Sequence, residues 1–252
     1  MTFKYDFFSN NIPNWKKILK PFKNKKNVKA LEIGCFEGRA TKWLLENVLT
    51  DETSRITVID TFKGSIEHKD RGYKIKSLLN IFKENIKEYL KKVKIYKGLS
   101  SDILRNAKLE KYDIIYIDGS HVAKDVLEDA IISWKFLNKN GVMIFDDYEW
   151  NFYKDETMCP KIAIDSFLNV YKNQYKLINK NYQVYISKIG ENVLNHKKRK
   201  ILPIVINDEK FIKEINQLKQ DLQKIQSSKT YKVWQKYNQF KKFFLKVKNK
   251  NE

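Results

Sequence analysis

Between Val28 and about Ile189 short apolar runs alternate with longer amphipathic ones, and no other feature constrains the fold of this chain so much. A strand that returns to the same sheet through a helix must cross over, so the alternation argues βαβ units and a parallel sheet. Val28 to Ile33, Arg55 to Asp60, Val93 to Lys97, Tyr112 to Asp118 and Val142 to Phe145 read as strands. Arg39 to Leu49, Ile75 to Leu90, Ser101 to Ala107 and Val122 to Leu137 read as helices. In the last of these Val126, Leu127, Ala130, Ile131, Trp134 and Leu137 recur at steps of three and four, which places them on one buried stripe, and Gly141 reads as its stop.

The rhythm then changes. Ile162 to Tyr171 reads as a helix, but Tyr175 to Ile178 and Tyr182 to Ile189 are separated only by Asn179-Lys180-Asn181, too short for a parallel crossover, so they form an antiparallel hairpin. The expected fold is α/β: five parallel strands plus a C-terminal antiparallel hairpin, helices on both faces, then a helical basic tail. Residues 1–27, with Phe7, Phe8, Trp15, Ile18 and Leu19, read as a helical cap on the sheet or the site, residues 28–190 as the domain, and 191–252 as an appendage.

At 42% hydrophobic and 13% aromatic the chain can bury a core, which excludes a disordered or collagen-like chain. Cys35 and Cys159 are too few for a disulfide framework. No window approaches the ~18 to 20 apolar residues of a membrane span, and the start Met1-Thr2-Phe3-Lys4 lacks a secretory signal's apolar stretch, so a cytoplasmic setting is expected. The net charge of +20 suggests nucleic acid, but 45 of the 50 basic residues are Lys, whereas phosphate and base readout favours Arg. Residues 191–252 hold 16 Lys+Arg against 6 Asp+Glu, so half of the excess lies in the last quarter.

In that quarter His196-Lys197-Lys198-Arg199-Lys200 reads as a solvated linker. Phe211, Ile215, Leu218, Leu222 and Ile225 follow with coiled-coil spacing, two heptads that suggest a homodimer through this helix. Tyr231, Trp234, Phe240, Phe243 and Phe244, set among eight Lys from Lys229 to Lys250, read as a basic amphipathic helix. Such a helix either lies on an anionic membrane surface, giving a peripheral location, or packs on a neighbour with its lysines in water.

Ligands in an open α/β sheet sit beyond the carboxyl ends of the strands. The first such turn, Glu32-Ile33-Gly34-Cys35-Phe36-Glu37-Gly38, has its glycines as Gly-x-x-x-Gly. This lets the backbone turn and a ligand approach, but it is not the Gly-x-Gly-x-x-Gly that cradles a dinucleotide pyrophosphate, so NAD and FAD are disfavoured. Asp60 ends the second strand, where a carboxylate can accept from both hydroxyls of a ribose. A glycine turn and a ribose acid without a pyrophosphate loop suit a nucleoside such as S-adenosylmethionine.

Residues 28 to 189 resemble class I S-adenosylmethionine-dependent methyltransferases, whose sheet has this Rossmann-like topology. Leu31-Glu32-Ile33-Gly34, Ile59-Asp60-Thr61-Phe62, Ile117-Asp118-Gly119-Ser120-His121 and Phe145-Asp146-Asp147-Tyr148 resemble the small-molecule O-methyltransferase branch that includes catechol and macrolide-sugar enzymes. The resemblance implies that Glu32, Gly34, Phe36 and Gly38 surround the methionine portion. It also implies that Asp60 with Thr61 holds the ribose, that Phe62 stacks over the adenine or ribose, and that Ser101 and Asp102 lie near the adenine.

Asp118 ends the fourth strand and Asp146 and Asp147 the fifth, and neighbouring strands lie ~4.8 Å apart. Three carboxylates from two strand ends suit a hard cation such as Mg²⁺, which would lower the pKa of a substrate hydroxyl. The catechol enzymes use Mg²⁺ but pair Asp with Asn where this chain has Asp146-Asp147. The plain alternative is that these acids cap helices or line solvated turns. Asp118 borders both the cofactor and the reacting groups. His121, where the catechol enzymes have a lysine, is the candidate base, unless it is only the first residue of its helix. His68, in the polar loop 63–74, reads as surface, and that loop with the N-terminal segment is the candidate lid.

The expected activity is methyl transfer to a hydroxyl of a sugar or other small molecule. Base-amino methylation in this class needs an Asn/Asp-Pro-Pro-aromatic turn after the fourth strand, and Asp118-Gly119-Ser120 stands there instead. The two rivals are an RNA ribose or cap methyltransferase and a non-catalytic cofactor-binding scaffold in glycan assembly. Ser227-Ser228-Lys229-Thr230-Tyr231-Lys232 loosely resembles tails of bacterial glycan-processing enzymes, which inclines the expectation towards a glycan acceptor.

Overall fold

A computed structural model gives the fold and describes residues 3–72, 77–190, 209–228 and 232. The chain divides into two units, residues 1–193 and 194–252. The first is built on a seven-stranded sheet in the order β3-β2-β1-β4-β5-β7-β6. Its strands are β1 Lys29–Ile33, β2 Arg55–Asp60, β3 Val93–Lys97, β4 Tyr112–Ile117, β5 Leu137–Phe145, β6 Tyr175–Lys180 and β7 Val184–Lys188. β1 to β5 pair in parallel, while β7 pairs antiparallel with both β5 and β6. The expected five strands plus hairpin are thus present.

The helices are α1 Ile12–Ile18, α2 Arg39–Asn47, α3 Ile66–Asp70, α4 Leu78–Asn85, α5 Ser100–Asn106, α6 Ala123–Trp134 and α7 Pro160–Val170. Alternation along each strand decides which helices each face receives. Ala30, Ile56, Val58, Ile114 and Tyr116 meet Trp15, Trp43, Leu44 and Phe82 of α1, α2 and α4. Leu31, Ile33, Ile59, Ile115 and Ile117 meet Leu104, Val126, Trp134 and Phe167 of α5, α6 and α7. Tyr112 breaks the parity of β4 and joins the second face because the β4–β5 register shifts between Tyr112 and Ile114.

Some details differ from the sequence expectation. Gly141 lies inside β5 and does not stop a helix: α6 already ends at Trp134, and a Cβ on Gly141 would sit 2.9 Å from the carbonyl oxygen of Asp113. The expected helix from Ile75 to Leu90 is α4 followed by a 3-10 segment, Lys87–Lys92. The N-terminal cap is α1 flanked by two 3-10 segments, Ser9–Asn11 and Lys20–Phe22, and it packs as core, with Trp15 fully buried, its ring 4.9 Å from that of Tyr116 and 5.6 Å from that of Trp43.

The second unit contains one described helix, α8 Glu209–Ser227, which spans the expected heptads and leaves Leu218 68% exposed. The linker at 196–200 and the aromatic basic stretch after Lys232 lie outside the described residues. No helix among the described residues is long and apolar enough to cross a membrane.

Candidate active site

β1 has β2 on one side and β4 on the other, so the chain reverses its winding there and opens a crevice at the strands' carboxyl ends. Backbone bonds lace three of these ends: Gly34 N donates to Ile59 O at 2.9 Å and Asp118 N to Ile33 O at 2.8 Å. Gly34 has φ +81°, and a Cβ on it would lie 2.0 Å from the carbonyl oxygen of Asp118. The close approach that demands glycine is between two turns of backbone, where the sequence expectation placed a ligand.

Asp60 shapes the same turn. Its Oδ2 accepts from the amides of Cys35 at 2.8 Å and Phe36 at 3.0 Å, and its Oδ1 from that of Phe62 at 2.6 Å. Phe36 and Phe62 stand at φ +46° and +54°, a conformation that costs a non-glycine residue about 1 to 2 kcal/mol, and these bonds help offset it. Of the carboxylate's roughly four lone-pair positions three are taken, so it offers a ribose one strong acceptor where two were expected. Asp60→Ala removes that contact and unlocks the turn, so cofactor affinity is expected to fall at least about tenfold. Calorimetry showing unchanged affinity would overturn the assignment.

Glu32 is fully buried on β1 and borders the crevice. Its Oε2 accepts from Thr41 Oγ1 at 2.5 Å, while Oε1 has no partner. Burial pushes its carboxyl up to about 8, with the charge of Asp60 adding to the rise and the Thr41 bond opposing it. A ligand ammonium would satisfy Oε1 and favour the carboxylate, so the group fits the amino-acid end of S-adenosylmethionine.

Beyond β4 and β5, donor atoms of Asp118, His121 and Asp147 lie within 4.8 Å of one another. His121 Nε2 is 2.7 Å from Asp147 Oδ2, and the hydroxyl of Tyr182 donates to Asp147 Oδ1 at 2.7 Å. Asp146, expected among the metal ligands, is instead tied into the protein. Its Oδ2 accepts from the hydroxyl of Tyr116 and from Gln183 Nε2 at 2.8 Å, and its Oδ1 from the amide of Asp147. Asp147 can face the other way because it sits at φ +56°.

The Tyr116 hydroxyl also reaches Asp118 Oδ2 at 2.7 Å, and one proton cannot serve two carboxylates at once. Burial, with Asp146 and Asp147 beside it, raises the Asp118 carboxyl well above the usual range. Unless a cation is present, these acids must share protons.

The crevice encloses about 1180 Å³, more than the ~300 to 1,000 Å³ of an ordinary ligand site and enough for a cofactor beside an acceptor. Glu32, Gly34, Phe36, Asp60, Thr61, Ser101, Asp118, His121, Asp146 and Asp147 border it. Three expected residues do not. Phe62 is buried against Phe82, ring to ring at 5.5 Å, and is not a stacking surface; Gly38 lies against that same Phe82; Asp102 faces solvent on α5.

His68, expected at the surface, borders the crevice: Ser65 Oγ is 2.5 Å from its Nδ1, and its ring stacks on Phe36 at 4.8 Å. Phe7 meets both rings near 6 Å, so the two candidate lid segments touch.

Sequence reasoning missed the wall formed by Asn10, Asn11, Asn14, Trp150, Tyr153 and Tyr182, with the Trp150 ring tilted against that of His121 at 4.2 Å. The aromatic density of Tyr148 to Tyr153, directly after the Asp146-Asp147 pair, was the available signal.

Residues 31–148 match the sequence profile of a family described as "Methyltransferase domain". An uncharacterised protein of Acanthamoeba polyphaga mimivirus is 30% identical over 128 residues, which are 42% of this chain and 58% of that protein, less than two thirds of its length. Among solved structures the O-methyltransferase NovP superposes with a TM-score of 0.55 at 18% identity, covering 71% of this chain and 79% of its own. A protein of Clostridium thermocellum provisionally named an rRNA methylase reaches 0.55 at 14%, over 75% and 100%. An O-methyltransferase of Bacillus cereus in complex with S-adenosylhomocysteine reaches 0.51 at 19%, over 73% and 84%. At such identities these structures share the fold, whatever their acceptors. Profile and fold agree on residues that the crevice brings together: residues 31–148 are similar to a methyltransferase domain, and they lie in the fold that these solved methyltransferases share.

Proposed function

We propose that the domain moves a methyl group from S-adenosylmethionine to a hydroxyl of a small, hydroxyl-rich acceptor such as a sugar. One observation carries the reading: a single crevice joins a nucleoside-sized end, at Asp60 and Gly98, to an end walled by Asn10, Asn11, Asn14 and Trp150, with Asp118, His121 and Asp147 between them. Carboxamides both donate and accept, as hydroxyls do, and an indole offers an apolar face to a ring. The name of NovP and the bound S-adenosylhomocysteine of the Bacillus cereus enzyme support the reaction type and the cofactor.

In the reaction the acceptor oxygen attacks the sulfonium methyl, the carbon–sulfur bond breaks, S-adenosylhomocysteine leaves and the hydroxyl proton must go to a base. Asp147 holds the imidazole of His121 through Nε2 at 2.7 Å, and that imidazole is the group placed to take the proton. Asp118 and Asp147 would hold a divalent cation. Two carboxylates with water completing the shell suit Mg²⁺, and the proton-sharing at Asp118 and Asp146 is what positive charge would relieve. Such an ion would supply Lewis-acid polarisation of the acceptor hydroxyl.

Methyl-labelled S-adenosylmethionine incubated with fractionated cell extract is expected to label glycan or small hydroxylated metabolites. Label confined to RNA would instead support the ribose methyltransferase, and no label in any fraction the scaffold. Excess EDTA is expected to abolish turnover while S-adenosylhomocysteine affinity stays within about twofold, because Glu32 and Asp60 do not contact the ion. Full activity in EDTA would remove the ion from the proposal.

A further inference from the structure

Four of the chain's five Arg lie among the described residues, and three of these are hydrogen-bonded within the domain: Arg39 to Tyr5 O, Arg55 to Ser54 O and Arg105 to Glu128. Arg71 is the fourth. It borders the crevice and makes no hydrogen bond or ion pair with the described residues; its Cζ lies 4.5 Å over the ring of Phe152, which is 47% exposed. The neighbouring acid, Asp70, turns instead to the hydroxyl of Tyr153. Both contacts join the end of α3 to the stretch after β5, so Arg71 belongs to the wall assigned to the acceptor. A row of rings leads from there to the candidate base: Phe152 lies 5.9 Å from Trp150, and Trp150 4.2 Å from His121.

A guanidinium held on a ring face keeps its N–H edge free, and that edge matches the paired oxygens of a carboxylate or a phosphate. A neutral polyol does not need it, since the carboxamides of Asn10, Asn11 and Asn14 already supply donors and acceptors. Of the other basic groups on the border, Arg39 is engaged by Tyr5 and Asp6, and Lys124 carries a point charge without the fork. Asp118, Asp147 and Glu149 also border the crevice and would repel an anion placed among them. The charges therefore sort a bifunctional acceptor, its hydroxyl towards His121 and its acid towards Arg71.

We infer that Arg71 binds an anionic group of the acceptor, a carboxylate or a phosphate, so that the substrate is a hydroxylated acid such as a sugar acid or a sugar phosphate and not a neutral sugar. The inference rests on the proposed methyl transfer to a hydroxyl and narrows its substrate class.

The test uses the full chain, methyl-labelled S-adenosylmethionine and fractionated cell extract, and counts label above that of extract alone. The small labelled product is expected to bind an anion exchanger at neutral pH. If it elutes at about pH 2, where a carboxyl is protonated, the acid is a carboxylate; if it stays bound, a phosphate. With that fraction as acceptor, Arg71→Ala is expected to raise the apparent KM by about ten- to a hundredfold, with kcat and S-adenosylhomocysteine affinity within about threefold, and Arg71→Lys to recover part of the loss. A labelled product that passes the exchanger would overturn the inference and leave methyl transfer standing. So would an unchanged KM in Arg71→Ala, or a fall in kcat alone, which would make Arg71 a support for the Phe152 wall. Label only in RNA, or in no fraction, would overturn the proposed reaction and this inference with it.

Discussion

Replacing His121 with alanine is expected to lower the methyl-transfer rate by about 10²- to 10⁴-fold, with S-adenosylhomocysteine affinity within about twofold of the wild type. An aliphatic hydroxyl is a poor nucleophile at neutral pH, and positioning alone leaves its proton in place. His121 is held for the task from two sides, by Asp147 at 2.7 Å and by the ring of Trp150 at 4.2 Å. The acidic limb of the pH profile, where a protonated imidazole cannot accept, should flatten in the variant. A profile of unchanged shape would assign the proton to another group. Recovery of activity in excess Mn²⁺ or Mg²⁺ would show that the imidazole acts as a ligand, since a lost base is not restored by metal.

The second large effect concerns stability. Gly34→Ala is expected to cost at least about 3 kcal/mol and to lower the thermal midpoint by roughly 10 °C or more. Two costs add: the φ of +81° disfavours any side chain, and the new Cβ would stand 2.0 Å from the carbonyl oxygen of Asp118. Because that oxygen belongs to the turn carrying Asp118, residual folded protein should also bind cofactor more weakly. A variant with wild-type stability would mean that the β1 and β4 turns separate easily.

Much of the fold was legible because strand and helix periods differ and because the three residues between Tyr175–Ile178 and Tyr182–Ile189 exclude a crossover. Gly141 misled because glycine is ambiguous: the same residue ends helices and admits a neighbouring backbone inside a strand. In the candidate site, position along a strand was readable and direction was not. Asp118, Asp146 and Asp147 do lie at neighbouring strand ends, but which carboxylate opens to the crevice depends on the positive φ of Asp147 and on Tyr116 and Gln183, which take up Asp146. Phe62 was expected to stack on the ligand, but whether a ring faces a crevice or the core is decided by packing, and Phe82 claims it. Glu32 and Asp60 depended least on such detail, since a charged residue at the end of an apolar strand has few other destinations.

The bonds around Asp146 also bear on when the site can form during synthesis. Trp15 Nε1 donates to Gln183 Oε1 at 2.8 Å, Gln183 Nε2 to Asp146, and Tyr116 bridges Asp146 and Asp118. Residue 15 therefore waits for residue 183. A nascent chain can pair β1 to β5 once they have emerged, but until β7 is inserted beside β5 the Asp146 carboxylate lacks one of its donors and Trp15 its acceptor. Contacts of such sequence separation close late and slowly. A ribosome-bound chain stopped before residue 183 would hold most of the sheet and both ends of the crevice, yet the acids at the ends of β4 and β5 would still be unlocked.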